Sequence, residues 1–362
     1  MKNTILLFLL TILFSCSIPH YPKKYEKQGI FSNDSIQNVV LNNEYKNTLQ
    51  IQYLGCGNLL IKNQNDVIAI DPFFSNNSGI KTAFGKIKFN QNYFNKGTNF
   101  INRFNIDYKD INSIFISHSH YDHLLDLAYL LEKGLVNKNI NIYGDNSTRT
   151  IVKNFIVNYT FNNADSFVLK NEVNPKWINI KPNMRMLIIP SSHAPHFGKI
   201  HLMKGHSDSN YFNNFINSTQ KLNANQFKEG NTYAFILDIM QSDTIAFRAL
   251  IKGAGCEVNN GEVSKEILKE HPIDLAILQI ASANFTDCYP QNLLNQIKPK
   301  KVILTHWEDF FKPYAPEKIK TVRATNFNYF LSQVRKTNIW SNTDLKDVFY
   351  MGKPGTMFNV NY

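Results

Sequence analysis

With 362 residues, 43% of them hydrophobic, the chain can bury a sizeable core as one large domain or two small ones. Its formal charge of +11 comes from scattered lysines, with no dense basic run and no basic stripe interleaved with aromatic residues, which argues against a nucleic-acid partner. Of four cysteines, one lies in the leader, and the remaining three (Cys56, Cys256, Cys288) are an odd number without a CxxC pair, which excludes full intramolecular pairing.

The leader is "MKNTILLFLLTILFSC". Lys2 precedes an apolar run, Ile5 to Phe14, which is too short to span a bilayer and right for a signal peptide. The run ends at Leu13-Phe14-Ser15-Cys16, which resembles the lipobox of bacterial lipoproteins. That resemblance implies a signal peptide over 1–16 and a lipid on Cys16. It also implies attachment to the cell envelope, and Ser17 after the cysteine leans towards the outer membrane of a Gram-negative bacterium. Residues 17–48 are polar and rich in Lys, Asn and Ser, and read as a tether to a domain over 49–362.

From Leu49, three short apolar runs (49–54, 59–61, 67–70) separated by Gly- and Asn-rich turns predict a β-meander closed by Asp71-Pro72. Residues 75–110 read as a long loop with little structure, a length that points to function. A buried strand (111–117), a helix ending at Gly134 and another strand (139–145) follow. Strands are expected at 184–190, 232–239, 244–251, 274–280 and 301–307, and helices at 262–271, 290–297 and 326–336. Strands then helices in both halves predict two sheets packed face to face with helices outside, without an internal linker.

Between strand and helix lies "SHSHYDHLLD". On an extended strand end His118 and His120 share a face, and Asp122 and His123 open the helix, so both pairs can converge on one point. Imidazole and carboxylate suit Zn²⁺, with Fe or Mn²⁺ as alternatives. Further ligands are expected at strand ends, where His193 and His306 stand. His196, His201 and His206 lie in what reads as an extended loop and are weaker ligand candidates.

HxHxDH after a strand, Asp71 closing an earlier strand, and His193 and His306 at later strand ends together resemble the metallo-β-lactamase superfamily. The resemblance implies a four-layer αββα sandwich with a metal site at one edge of the sheets. It implies a first ion on His118, His120 and His193, a second on Asp122, His123 and His306, and Asp71 orienting the ligand loops. "YLGCGNLLI" and "VIAIDPFFS" look most like the branch holding ascorbate-6-phosphate lactonase and N-acylphosphatidylethanolamine phospholipase D.

One element of the family pattern is missing. The aspartate that bridges the two metals would fall near Gly253 or Ala254, and neither side chain can bind an ion. Cys256 and Glu257 follow closely and are the candidate replacements. One tight ion and a weak or empty second site are therefore expected. The implied activity is hydrolysis of an ester, amide, lactone or phosphodiester by a metal-bound hydroxide, with Asp122 in the catalytic role. Tyr121, His196, Lys199 and His206 are candidates for the substrate pocket, and lipid or another anionic small molecule is the substrate class favoured by anchoring and charge. The rival reading is a non-catalytic, metal-poor surface lipoprotein that binds a ligand or partner.

Overall fold

The computed structural model describes residues 20–362 apart from 43, 169–175, 197, 258–259 and 338. The proposed signal peptide and the lipidation site at Cys16 lie outside the described residues.

The strands, in chain order, are β1 Phe31–Ser32, β2 Ile36–Val40, β3 Thr48–Gly55, β4 Asn58–Asn63, β5 Asp66–Ile70, β6 Ile111–Phe115, β7 Asn141–Gly144 and β8 Thr160–Asn163. The second half adds β9 Ile178–Lys181, β10 Met184–Ser191, β11 Thr232–Gln241, β12 Thr244–Lys252, β13 Leu275–Gln279, β14 Lys301–Thr305, β15 Phe349–Gly352 and β16 Thr356–Asn361. They form two sheets, ordered β2-β16-β3-β4-β5-β6-β7-β8 and β1-β15-β14-β13-β12-β11-β10-β9.

Both faces of each sheet are covered. Along β4 and β5, Leu59, Ile61, Ile68 and Ile70 enter one apolar cluster, while Leu60, Val67 and Ala69 enter another. The period-two alternation of a strand thus feeds two cores, which is why these strands read as continuous apolar runs. Phe115 of β6 meets Phe235 of β11 edge-on at 5.7 Å, joining the sheets through the central layer. Helices cover the outer faces, so the architecture is an αββα sandwich.

Two sequence expectations are corrected. Of the tether expected over 17–48, residues 20–42 and 44–48 are built into the fold. A short helix, Lys23–Lys27, buries Tyr25, and β1 and β2 pair in parallel with β15 and β16, one in each sheet. Few apolar residues were needed (Tyr25, Ile30, Phe31, Val39), because each edge strand buries one face only. Phe31 packs edge-on against the buried Trp307, whose indole N–H donates to the Gly352 carbonyl at 2.9 Å.

The long loop over 75–110 instead holds helices Gly79–Phe84 and Gln91–Asn102. Ser78 and Asn90 cap them through their side chains, the local bonding that asparagine and serine favour at helix starts. The longer helix packs on Phe74 so closely that a Cβ at Gly97 would lie 2.2 Å from that ring.

Topology places the chemistry at one edge. Asp71 follows β5, the histidine loop follows β6, His193 follows β10, Ala254 follows β12 and His306 follows β14. The β3–β4 turn, Gly55-Cys56-Gly57, joins them there.

Candidate metal centre

The loop after β6 keeps strand-like alternation although β6 itself ends at Phe115. Ser117 and Ser119 turn one way, into buried anchors. The Ser117 N–H and hydroxyl donate to Asp71 at 2.7 and 2.5 Å, and the Ser119 hydroxyl donates to Asp145 at 2.8 Å. His118 and His120 turn the other way, with ring centroids 4.7 Å apart. His120 is the residue before the first helical turn, Tyr121–Leu124, which carries Asp122 and His123.

His193 completes a triad with these two. One ring nitrogen from each of His118, His120 and His193 lies within 4.8 Å of the others. Their other nitrogens are taken. His118 Nδ1 donates to the Ser117 hydroxyl at 3.0 Å, since that hydroxyl gives its own proton to Asp71, and His193 Nδ1 donates to the Ala194 carbonyl at 2.6 Å. Nε2 of His118 and Nε2 of His120 are buried with no hydrogen-bond partner. An unpaired buried polar atom costs about 1–3 kcal/mol, so two side by side fit a bound cation better than a protein interior.

The charge states agree with that fit. Burial first, and neighbouring imidazoles second, hold His118 and His193 well below the ordinary imidazole value and bring His120 to about 3. All three are therefore neutral, with a lone pair to offer. Burial also takes His196 down to about 4, and its ring stacks on His193 at 4.7 Å.

Asp71 touches the site without entering it: besides Ser117 it accepts the His123 Nδ1–H at 2.8 Å. Burial alone would lower His123, but Asp71 and Asp122 outweigh it and raise its affinity for a proton. Burial would conversely raise Asp122, yet His123 and His306 hold its carboxyl well below the usual range. Asp122 Oδ2 lies 3.4 Å from His306 Nε2 and 3.7 Å from His123 Nε2.

A cavity of about 330 Å³ opens over these residues. His120, Asp122, His193 and His306 form its polar floor, and Phe84, Leu202, Met203, Phe310, Phe311 and Val322 form apolar walls. Tyr121 and His196 line it. Lys199 and His206 do not: both are exposed, and the His206 ring reaches Ser147 Oγ at 3.3 Å instead. Helix 79–84, from the segment read as a loop, supplies part of the wall.

The position expected for the bridging aspartate carries no carboxylate. A Cβ at Gly253 would lie 2.0 Å from the Ser117 side chain, and Ala254 faces the cavity with a methyl group. Cys256 and Glu257 do not replace it. Past Gly255 the chain is drawn to the His193 loop by the Ala194 N–H, which donates to the Gly255 carbonyl at 2.8 Å. Cys256 then packs into the core, and Glu257 is exposed and pairs with His201 at 3.4 Å.

The cysteine that does reach the site is Cys56. Its sulfur joins a carboxylate oxygen of Asp122 and a ring nitrogen of His306 within 4.8 Å. Only its place between two glycines at a hairpin tip could have signalled this in the sequence.

Residues 68–240 match the family model of the beta-lactamase superfamily domain. The matched span runs from β5 into β11 and contains Asp71, the histidine loop and His193, while Cys56 and His306 lie outside it. The sandwich is accordingly of the metallo-β-lactamase type. Among solved structures, the chain is similar to Igni18, a metallo hydrolase from the archaeon Ignicoccus hospitalis, with 13% identity and a TM-score of 0.46 over 87% of this chain and 99% of that one. It is similar to the metallo-beta-lactamase fold protein YhfI of Bacillus subtilis, with 10% identity and a TM-score of 0.46 over 85% and 98%. A third, CmlA of Streptomyces venezuelae, described as a diiron beta-hydroxylase, has 8% identity and a TM-score of 0.46 over 88% of this chain and 55% of that one. No curated protein matches the chain.

Proposed function

We propose that this chain is a metal-dependent hydrolase whose substrate carries an apolar group next to the scissile ester, amide, lactone or phosphodiester. The observation that carries this reading is the neutral triad His118, His120 and His193, with unpaired buried nitrogens on the first two, beside an apolar-walled cavity whose floor includes His120 and His193. Zinc suits three imidazoles best, and the beta-lactamase superfamily match supports a hydrolase in general terms. When bound, the ion supplies Lewis acidity and acidifies a water molecule.

The chain's own residues do the rest. Asp122 stays ionised at neutral pH, so it can orient the attacking water by accepting a hydrogen bond from it. The aromatic and aliphatic walls exclude solvent and hold the substrate's apolar part. Arg323 at the rim, paired with Asp309 at 3.3 Å, presents a positive charge to an anionic group.

The test is a panel of p-nitrophenyl esters of increasing acyl length, together with bis(p-nitrophenyl) phosphate, on the zinc-loaded full chain. We expect kcat/KM on the esters to rise by up to about four-fold per methylene until the cavity is filled, from ~0.8 kcal/mol of burial per CH₂. Activity should vanish in His193→Ala. A flat response to acyl length would sink the apolar-group reading. No hydrolysis by a protein that still binds ligand would favour the non-catalytic reading, for which Ala254 in place of a carboxylate is the supporting observation.

We also propose that Cys16 carries a lipid and holds the enzyme at the cell envelope, on the strength of the apolar run that ends there. Among the described residues no helix is long and apolar enough to cross a membrane. Labelling with a fatty acid that disappears in Cys16→Ala is the check.

A further inference from the structure

We propose that Cys56 is a metal ligand and that Cys56, Asp122 and His306 form a second, thiolate-containing cation site beside the histidine triad. The proposal rests on the reading of that triad as a metal site and adds an ion to it.

Four observations carry it. The three ligand atoms lie within 4.8 Å of one another, and a tetrahedral ion with ordinary zinc–sulfur and zinc–nitrogen bonds needs them about 3.6 Å apart, a closure within side-chain rotation. Cys56 is 2% exposed, His306 4% and Asp122 7%, so the site is enclosed. His306 turns Nε2 to the same point, 3.4 Å from Asp122 Oδ2. Finally, Ala254 leaves this side of the centre without the expected carboxylate, so a third ligand has to come from elsewhere.

The β3–β4 turn brings it. Cys56 adopts φ +48°, a conformation that glycine takes freely and a cysteine rarely does. The hairpin is held there: the Cys56 N–H donates to the buried Glu308, which also accepts the Tyr53 hydroxyl. A Cβ at the next residue, Gly57, would lie 2.7 Å from Asp71 Oδ2 and 2.8 Å from the His123 ring. The turn is thus pressed onto the residues that orient the site, with its one side chain directed at Asp122 and His306. His123, held by Asp71 through Nδ1, keeps Nε2 3.7 Å from Asp122 Oδ2 and can add a fourth ligand.

A thiolate, an imidazole and a carboxylate select zinc or a similarly thiophilic ion over magnesium, calcium or manganese. Binding replaces the thiol proton with the ion and releases that proton to solvent.

The experiment reconstitutes the full chain with Co²⁺ in place of the native ion. Bound cobalt is counted, and the thiolate-to-cobalt charge-transfer absorption in the near ultraviolet is recorded. Wild type should bind two equivalents and show the band. Cys56→Ser should lose the band and one equivalent. Cys56→Gly, which relieves the positive φ and so remains folded if serine is not tolerated, should do the same. His118→Ala should lose the other equivalent and keep the band. A wild-type protein without the band, or a band that persists in both Cys56 variants, overturns the proposal. If the Cys56 variants behave as expected while His118→Ala still binds two equivalents, the triad reading fails and the Cys56 site stands.

Discussion

At the scale of the residue, the centre is organised by groups that do not touch the cavity. Asp71 holds Ser117 and His123 at once, from a backbone at φ +47° that asparagine also adopts readily. Asp71→Asn therefore keeps the turn and removes the acceptor that fixes His123 and, through Ser117, His118. We expect metal affinity to fall roughly 10–100-fold, the usual cost of disturbing a ligand's orienting partner, with little change in secondary structure. Titration with a competing chelator measures it, and an unchanged affinity would show that Asp71 is only structural. Asp71, the histidines and Asp122 were legible in the sequence because they cluster or stand at strand ends. Cys56 was not: proximity along the chain favours Cys256 and Glu257, which stand just after the position of the missing aspartate. Contact with the ion depends instead on which turns share a sheet edge.

At the scale of the element, the helix Leu127–Glu132 begins beside Asp126, a buried carboxyl. Its Oδ2 accepts the Phe74 and Ser75 N–H groups at 2.7 and 3.1 Å, while Oδ1 has no partner. Burial outweighs those bonds and pushes its pKa up to about 7. The folded state thus binds this proton more tightly than the unfolded chain, whose value is near 3.9. Stability from this group is complete below pH ~4 and is lost as pH rises to about 7. Between pH 5 and 7 the loss is on the order of 2 kcal/mol. Denaturant melts in the presence of chelator should show wild type falling relative to Asp126→Asn over that range, and parallel curves would refute the assignment. The same region shows why 75–110 was misread. Its helices rest on caps by Ser78 and Asn90 and on a few aromatic contacts, and an Asn-rich composition hides both. The strands of the meander and β10 to β14, by contrast, carry long apolar runs and were legible to within a residue or two, whereas β9, β15 and β16 were not foreseen.

At the scale of the whole molecule, the N-terminal segment closes both sheets. A chain starting at Leu49 would expose β16 on one sheet and β15 on the other as unpaired edges. It should melt at a clearly lower temperature than a chain starting at His20, or aggregate. Equal melting temperatures would mean that residues 20–48 are dispensable cladding. The sandwich itself could be foreseen from alternating runs of strands and helices. The part played by this segment could not, because an edge strand needs only one apolar face and reads as polar.

That early start of packing has a further consequence for the lipid proposed on Cys16. The His20 carbonyl already accepts the Thr321 N–H at 3.0 Å, and the next two residues, Val322 and Arg323, line the cavity. The four residue steps from Cys16 to His20 span at most about 14 Å. The cavity would then ride less than two Debye lengths of ~8 Å above the headgroups, close enough for the chain's positive charge to feel an anionic leaflet. An enzyme leashed so tightly would search in two dimensions, meeting amphiphiles that diffuse along the membrane more often than solutes arriving from bulk water.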